Sequence, residues 1–355
     1  MKTIHLSPFI EIVSSPPMTQ EQVNQTRKLL DTPKDIAIIP HKNPDGDAMG
    51  STLALYHYLK KKGHHPCVVA PNNYPKFLQW LPGNDSVVAY DAAAKVAKEK
   101  IEQAQLIFTL DFNDLSRTGD LQQHLEQATV PFIMIDHHQQ PSAYATVTYS
   151  DATMSSTSEM VYHFMEAMGD QAMVDATIGT CLYTGIMTDT GGSFRFPSTT
   201  ATTHHVVSEL IKAGVNNAGI HEQVYDNNRY SKLQLLGRAL SNLKVVEKYK
   251  TSYITLSQKE LDQHKFQKGD TEGFVNYGLS LEGVIFAVIF IENRSENIIK
   301  ISFRSKGDFS VNDFARAHFN GGGHTNAAGG RSDLSLQKTT EHFLTLLSQY
   351  PELSL

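Results

Sequence analysis

Between residues 35 and 200 the chain repeats one pattern, a short apolar run followed by an amphipathic stretch. The apolar runs fall at 36–39, 67–70, 106–110 and 132–135, the last entered through Pro131. Helical stretches separate them, notably at 47–62, which closes on Gly63, and at about 91–104. Runs of four or five apolar residues are too short for buried helices and match strands covered on both faces. Strands held apart by helices cannot pair as hairpins, so the expected product is an α/β fold with a doubly wound, mainly parallel sheet. That architecture also says where to look for chemistry, because open sheets of this class bind ligands beyond the carboxyl ends of their strands.

The texture changes further along. Residues 200–245 read as helical and more polar; from 246 strands return at 253–256, 284–291 and 298–303, followed by a glycine-rich segment and a helix at about 334–349. The expected organisation is a catalytic domain at 20–205, a helical linker at 206–245, and a smaller α/β domain with a mixed sheet at 246–350. A chain of 355 residues can give each domain its own core. The net charge of −6 supplies no global basic field for long duplex nucleic acid, so a nucleic-acid partner should be short and held by local cations. Cys67 and Cys181, with no CxxC spacing, argue against a disulfide framework and a thiolate zinc site. No signal-peptide core precedes Gln20, and the longest apolar stretch, 284–291, falls well short of the roughly 20 residues of a membrane helix. A cytoplasmic location is expected.

Acids and imidazoles collect where the runs end. Asp136-His137-His138 follows the 132–135 run and reads, alone, equally as a polar loop with a capping aspartate or as metal chemistry. His41, Asp45 and Asp47 follow the first run around Pro44 and Gly46. Imidazole with several carboxylates suits Mn²⁺, Fe²⁺, Co²⁺ or Mg²⁺, and Asp45 and Asp47 can face two different ions; the alternative is an Asp-Gly turn with Asp47 capping the next helix. Asp111 follows the 106–110 run, where a helix cap is the alternative. Arg117, six residues on, is either solvated surface or, beside a metal cluster, a bidentate phosphate ligand. Asp189, between Thr188 and Thr190, could equally mark a turn. Ser156 and Glu159 have capping-box spacing and read as structural. Four segment ends together offer enough ligands for two ions that share one carboxylate, the arrangement of a two-metal phosphoryl-transfer site.

With these four motifs in order, the sequence resembles the DHH phosphoesterase superfamily. The resemblance implies two divalent ions, Mn²⁺ first with Mg²⁺ or Co²⁺ served by the same ligands. It gives His41, Asp45 and Asp111 to one ion, and Asp47, the shared Asp111, His137 and Asp189 to the other. Asp136 would orient the histidine pair, with His138 facing the scissile phosphate; Arg117, Asp136 and His138 form the implied catalytic set. Downstream, Gly321-Gly322-Gly323-His324 resembles the GGGH motif of the DHH-associated domain. There Arg304, Gly322, Gly323 and His324 would hold the far phosphate or base of the substrate, beside contacts from Arg117 and His138.

The two-domain length is similar to that of bacterial bifunctional oligoribonucleases that also dephosphorylate 3′-phosphoadenosine 5′-phosphate (PAP). The implied substrates are short single-stranded oligonucleotides and small nucleotides, with neither duplex nor membrane as partner and a homodimer among the permitted assemblies. The alternatives are a phosphodiesterase specialised for linear or cyclic dinucleotides, and a non-catalytic nucleotide-binding protein. The complete ligand set weighs against the latter.

Overall fold

In the computed structural model, residues 18–354 other than Arg195 are described. They divide between two compact units that part between Asp226 and Asn227.

The first unit runs α1 (Gln20–Leu29), β1 (Asp35–Pro40), α2 (Gly46–Lys61), β2 (His65–Ala70), β3 (Val88–Ala89), α3 (Tyr90–Gln103), β4 (Leu106–Leu110), α4 (Gln122–Glu126), β5 (Phe132–Asp136), β6 (Val147–Ser150), α5 (Thr157–Ala167), α6 (Ala176–Asp189), α7 (Ala201–Lys212) and α8 (Asn217–Val224). Its six strands lie in the order β3-β2-β1-β4-β5-β6, and every neighbouring pair is parallel. The chain therefore leaves β1 toward one edge and β4 toward the other. Their adjacent carboxyl ends form the topological switch point, where sheets of this kind open a crevice.

Burial explains the uninterrupted apolar runs, because β4 and β5 are buried at every position. Alternate residues enter opposite cores: Ile36, Ile38 and Phe108 face one, Ala37, Ile39 and Ile107 the other. Each of these isoleucines and Phe108 contributes roughly 1.5–3 kcal/mol relative to exposure. The two strands that the sequence reading left out, β3 and β6, are short edge strands with weak apolar patterns.

The second unit comprises α9 (Tyr230–Ser241), β7 (Lys244–Val246), β8 (Thr251–Leu256), α10 (Gln258–Gln263), α11 (Phe274–Leu279), β9 (Phe286–Asn293), β10 (Ile298–Ser305), α12 (Val311–His318), β11 (Gly322–His324), β12 (Ala327–Ser332) and α13 (Leu336–Leu346). Its sheet runs β11-β12-β10-β9-β8-β7 and is mixed, with β8 and β9 parallel and the other pairs antiparallel. Phe286, Phe290, Phe303, Phe314 and Phe343 pack one face, while Leu235, Ala239, Ile254 and Ile289 pack the other. The glycine-rich segment forms the hairpin β11–β12, invisible to apolar periodicity because its side chains are mostly absent.

The stretch 206–245 divides between the units. Val206, Leu210, Ile220 and Val224 enter the first core, whereas Leu235 and Ala239 enter the second. Among the described residues, no helix is long and apolar enough to cross a membrane.

Candidate metal centre

Each candidate ligand in the first unit sits just past a strand or at a helix terminus around the switch point. His41 follows β1. Its Nδ1 lies 2.9 Å from the Lys42 carbonyl, which can only accept, so the ring proton is on Nδ1 and Nε2 carries the lone pair. That Nε2 lies 3.8 Å from Asp45 Oδ2 and 3.5 Å from Asp111 Oδ2. Asp45 is the N-cap of α2, its Oδ1 accepting the amides of Asp47 (3.0 Å) and Ala48 (3.1 Å), which leaves Oδ2 for the His41 side. Capping and metal binding are thus not alternatives here, and the capping residue is Asp45 rather than Asp47.

Asp111 follows β4 with φ 67°, in the left-handed region, its amide donating to the Ile135 carbonyl at 3.1 Å. Aspartate tolerates that region better than most residues, at a cost on the order of 1 kcal/mol. Its two oxygens face different imidazoles: Oδ2 toward His41, and Oδ1 toward Nε2 of His137 at 3.5 Å. His137 repeats the design of His41. Its Nδ1–H donates to the Met154 carbonyl at 3.2 Å, and its Nε2 looks toward Asp189 Oδ2 (3.4 Å), Asp111 Oδ1 (3.5 Å) and Asp47 Oδ2 (3.8 Å).

The expectation gave Asp136 both histidines. In the structure the fully buried Asp136 Oδ1 accepts His138 Nδ1–H at 2.7 Å, while a backbone carbonyl orients His137. Arg117 is exposed in the turn Leu115–Leu121 near His41, whose protonation its charge opposes.

Thr157 and Ser158, between the two residues with capping-box spacing, belong to this cluster. The Thr157 amide donates to Asp47 Oδ2 at 2.6 Å and the Ser158 amide to Oδ1 at 2.8 Å, so the first turn of α5 grips both oxygens of a buried carboxylate. Thr157 Oγ1 also donates to Asp111 Oδ1 at 3.0 Å. Ser156 Oγ accepts the Glu159 amide and leaves those two amides to Asp47, while the Glu159 carboxylate turns to Ser155 and Thr203. The legible signal was the run Ser155-Ser156-Thr157-Ser158, all buried, which core packing does not require.

Glycines bring the acids of α2 and α6 together. A Cβ on Gly50 would lie 2.5 Å from the Cys181 carbonyl oxygen, and one on Gly46 would lie 2.2 Å from Thr188 Oγ1. The two helices approach at contact distance, which carries Asp47 and Asp189 to the same side of His137.

The electrostatics call for cations. Burial and the carboxylates of Asp111 and Asp189 push Asp47 well above the usual carboxylate range. Burial, with Asp45 and Asp111 opposed by His137, pushes Asp189 up to about 6. Burial alone would lower His137, but Asp111, Asp189 and Asp47 outweigh it and hold the imidazole well above its ordinary value. Against its own burial, Asp111 is held well below by His137 and His41. Neutral Nε2 lone pairs facing carboxylates at 3.4–3.8 Å repel unless a proton or a cation lies between them. Donors around a divalent ion at about 2.1 Å stand roughly 3.0–3.4 Å apart, so a modest contraction would bring either group to coordination distance. Ligand atoms of His41, Asp45 and Asp111 lie within 4.8 Å of one another, as do those of Asp47, Asp111 and His137. This oxygen-rich set with one imidazole per group fits Mn²⁺, Mg²⁺ or Co²⁺.

In the second unit, strand register aligns Arg304 with Ala327 and Ala327 with His324, so both candidate residues occupy one row across β10, β12 and β11. The Gly323 amide donates to Asn312 Oδ1 at 2.8 Å, and a Cβ on Gly323 would lie 2.5 Å from the Ala327 carbonyl oxygen. Glycine is required there to close the hairpin; Gly322, beside it, pairs with Gly329.

Comparison with known proteins places the chain in a family. Residues 35–186 match the DHH family N-terminal domain, and residues 247–351 match the DHHA1 domain. The chain is similar to the bifunctional oligoribonuclease and PAP phosphatase NrnA of Thermus thermophilus, 32% identical over 298 residues covering 83% of each protein. A probable NrnA of Streptococcus mutans is 29% identical over 84% of this chain and 89% of its own. Among solved structures, an exopolyphosphatase-related protein from Bacteroides fragilis superposes with a TM-score of 0.89 at 37% identity, over 95% of this chain and 98% of that one. RecJ of Thermus thermophilus in complex with Mn²⁺ shares the fold, with a TM-score of 0.54 at 12% identity over 97% of this chain and 56% of RecJ. The chain belongs to the DHH family of phosphoesterases, carries a DHHA1 domain, and is a hydrolase.

Proposed function

We propose that this hydrolase uses two divalent ions, most simply Mn²⁺, to cleave very short oligonucleotides to mononucleotides and to remove the 3′-phosphate of PAP. The observation that carries the two-ion reading is the Asp111 carboxylate, whose two oxygens face His41 Nε2 and His137 Nε2 at 3.5 Å each. His41 and Asp45 would complete one ion's ligands; Asp47, His137 and Asp189 would complete the other's. Such ions supply a nucleophile from water at neutral pH and offset phosphoryl charge.

The remaining steps belong to the protein's own groups. Asp136 holds the His138 proton on Nδ1, which leaves the Nε2 lone pair to take a proton from the attacking water and pass it to the leaving oxygen. Arg117 would pair the phosphoryl oxygens on the His41 side. Arg304, Gly322, Gly323 and His324 would bind the far phosphate or base. The names of the Thermus and Streptococcus relatives favour these substrates. The net charge of −6, with cations placed locally, suits a substrate of a few nucleotides.

Purified chain with Mn²⁺ should release mononucleotides from pApA and short ribo-oligomers and phosphate from PAP. Failure to cleave any of them would overturn the reading. Asp111→Ala should abolish turnover and the binding of both ions by calorimetry; near-normal turnover would sink the shared-ligand assignment.

A further inference from the structure

We propose that Lys42 holds a second, non-reacting phosphate of the substrate, in an anion subsite it shares with Arg117 on the outer side of His41. The inference rests on the phosphoesterase reading above and extends it to substrate selection.

Lys42 is fixed at both ends of its backbone. Its carbonyl accepts His41 Nδ1–H at 2.9 Å, and its amide donates to the Arg117 carbonyl at 2.7 Å. The side chain is placed as well. Gly119, on the same turn as Arg117, has φ 58°, and a Cβ there would lie 2.7 Å from Lys42 Cδ and 3.4 Å from Nζ. The lysine stem thus lies across a backbone stripped of its side chain, which orders a residue that ordinarily carries about 2 kcal/mol of rotamer entropy.

What this ordering presents is unpaired charge. Among the described residues, neither Lys42 Nζ nor the Arg117 guanidinium has an ion pair or a hydrogen bond, in contrast to Lys61, Lys62, Arg229 and Arg238. Two cations on hydrogen-bonded residues repel, and an anion between them reverses the sign.

Position separates this charge from the reacting phosphate. The His41 ring turns Nε2 toward Asp45 and Asp111 and Nδ1 toward the Lys42 carbonyl, so the Lys42 backbone stands on the far side of the ring from the carboxylates. Adjacent phosphates of one strand are separated by a ribose, and a cation one ring further out suits the neighbour of the scissile group. Arg117, whose carbonyl accepts the Lys42 amide, can serve both.

The test compares pApA with ApA, which differ by one terminal phosphate, using the full chain loaded with Mn²⁺. Wild type should prefer pApA. Lys42→Gln should cut kcat/KM for pApA about tenfold more than for ApA, chiefly through KM, and Lys42→Arg should restore most of the preference. Equal losses on both substrates, or a wild type that does not discriminate, would overturn the subsite. Calorimetric binding of the two dinucleotides repeats the comparison without turnover. A chain that hydrolyses neither refutes the dinucleotide-cleaving reading, while binding still decides the subsite.

Discussion

The crossing of α2 and α6 makes the site's geometry depend on a residue with no chemistry of its own. Gly185 is helical, and in an open helix Gly→Ala would stabilise by roughly 0.8–1.0 kcal/mol. Here the new Cβ would fall 1.9 Å from Ser158 Oγ and 2.8 Å from Asp47 Oδ1. Ordinary contact therefore requires Ser158 to retreat by about 1.5 Å (3.4 Å less 1.9 Å). Ser158 belongs to the turn whose amides hold Asp47, so that carboxylate must move too. Overpacking of this size costs about 1–3 kcal/mol, which after the helix gain leaves Gly185→Ala up to roughly 2 kcal/mol less stable. Urea unfolding of the metal-free protein measures that term, and Mn²⁺ titration calorimetry measures the ligands. The ion assigned to Asp47, His137 and Asp189 should weaken more than the one assigned to His41 and Asp45. Gly237→Ala on α9, where a Cβ meets nothing within 4 Å, is the control and should stabilise slightly. If Gly185→Ala gains stability like the control and binds two ions as wild type does, close helix approach is not what places Asp47.

Other perturbations separate the roles of neighbouring groups. Asp136→Asn should lower kcat on the order of 100-fold with ion stoichiometry retained; loss of an ion instead would make Asp136 a ligand. Arg304→Ala and His324→Ala should raise KM for nucleotides while metal content by elemental analysis stays at the wild-type level, and a fall in metal content would refute that division. Ion affinity should increase with pH. Asp47, Asp189 and His137 all hold protons more tightly than usual, Asp189 to about 6, so those protons must leave before an ion enters. Calorimetry should find the Mn²⁺ Kd falling steeply as pH rises through about 6, with proton release that scales with buffer ionisation enthalpy. A Kd flat between about pH 5 and 7.5 would contradict the cited shifts.

The parts legible in the sequence were those whose signal is local. Buried parallel strands need unbroken apolar runs, so β1, β2, β4 and β5 could be read directly, and the candidate ligands at strand ends followed from the architecture. Short edge strands such as β6 carry no such run, and β11–β12 is built from glycines that carry no periodicity. The helix positions that hold the acids were hidden for a different reason. Small residues at 46, 50, 155–158 and 185 look like weak helix formers in isolation, and their value appears only where two helices touch. There the missing side chains create the space that Asp47 and Asp189 need beside His137. The acids announce what chemistry is available, but the glycines and hydroxyls decide whether the acids meet. A homologue that kept every aspartate and histidine yet carried a bulky residue at the position of Gly50, 2.5 Å from the Cys181 carbonyl oxygen, would have to separate α2 from α6. It would then keep the motif and lose the centre.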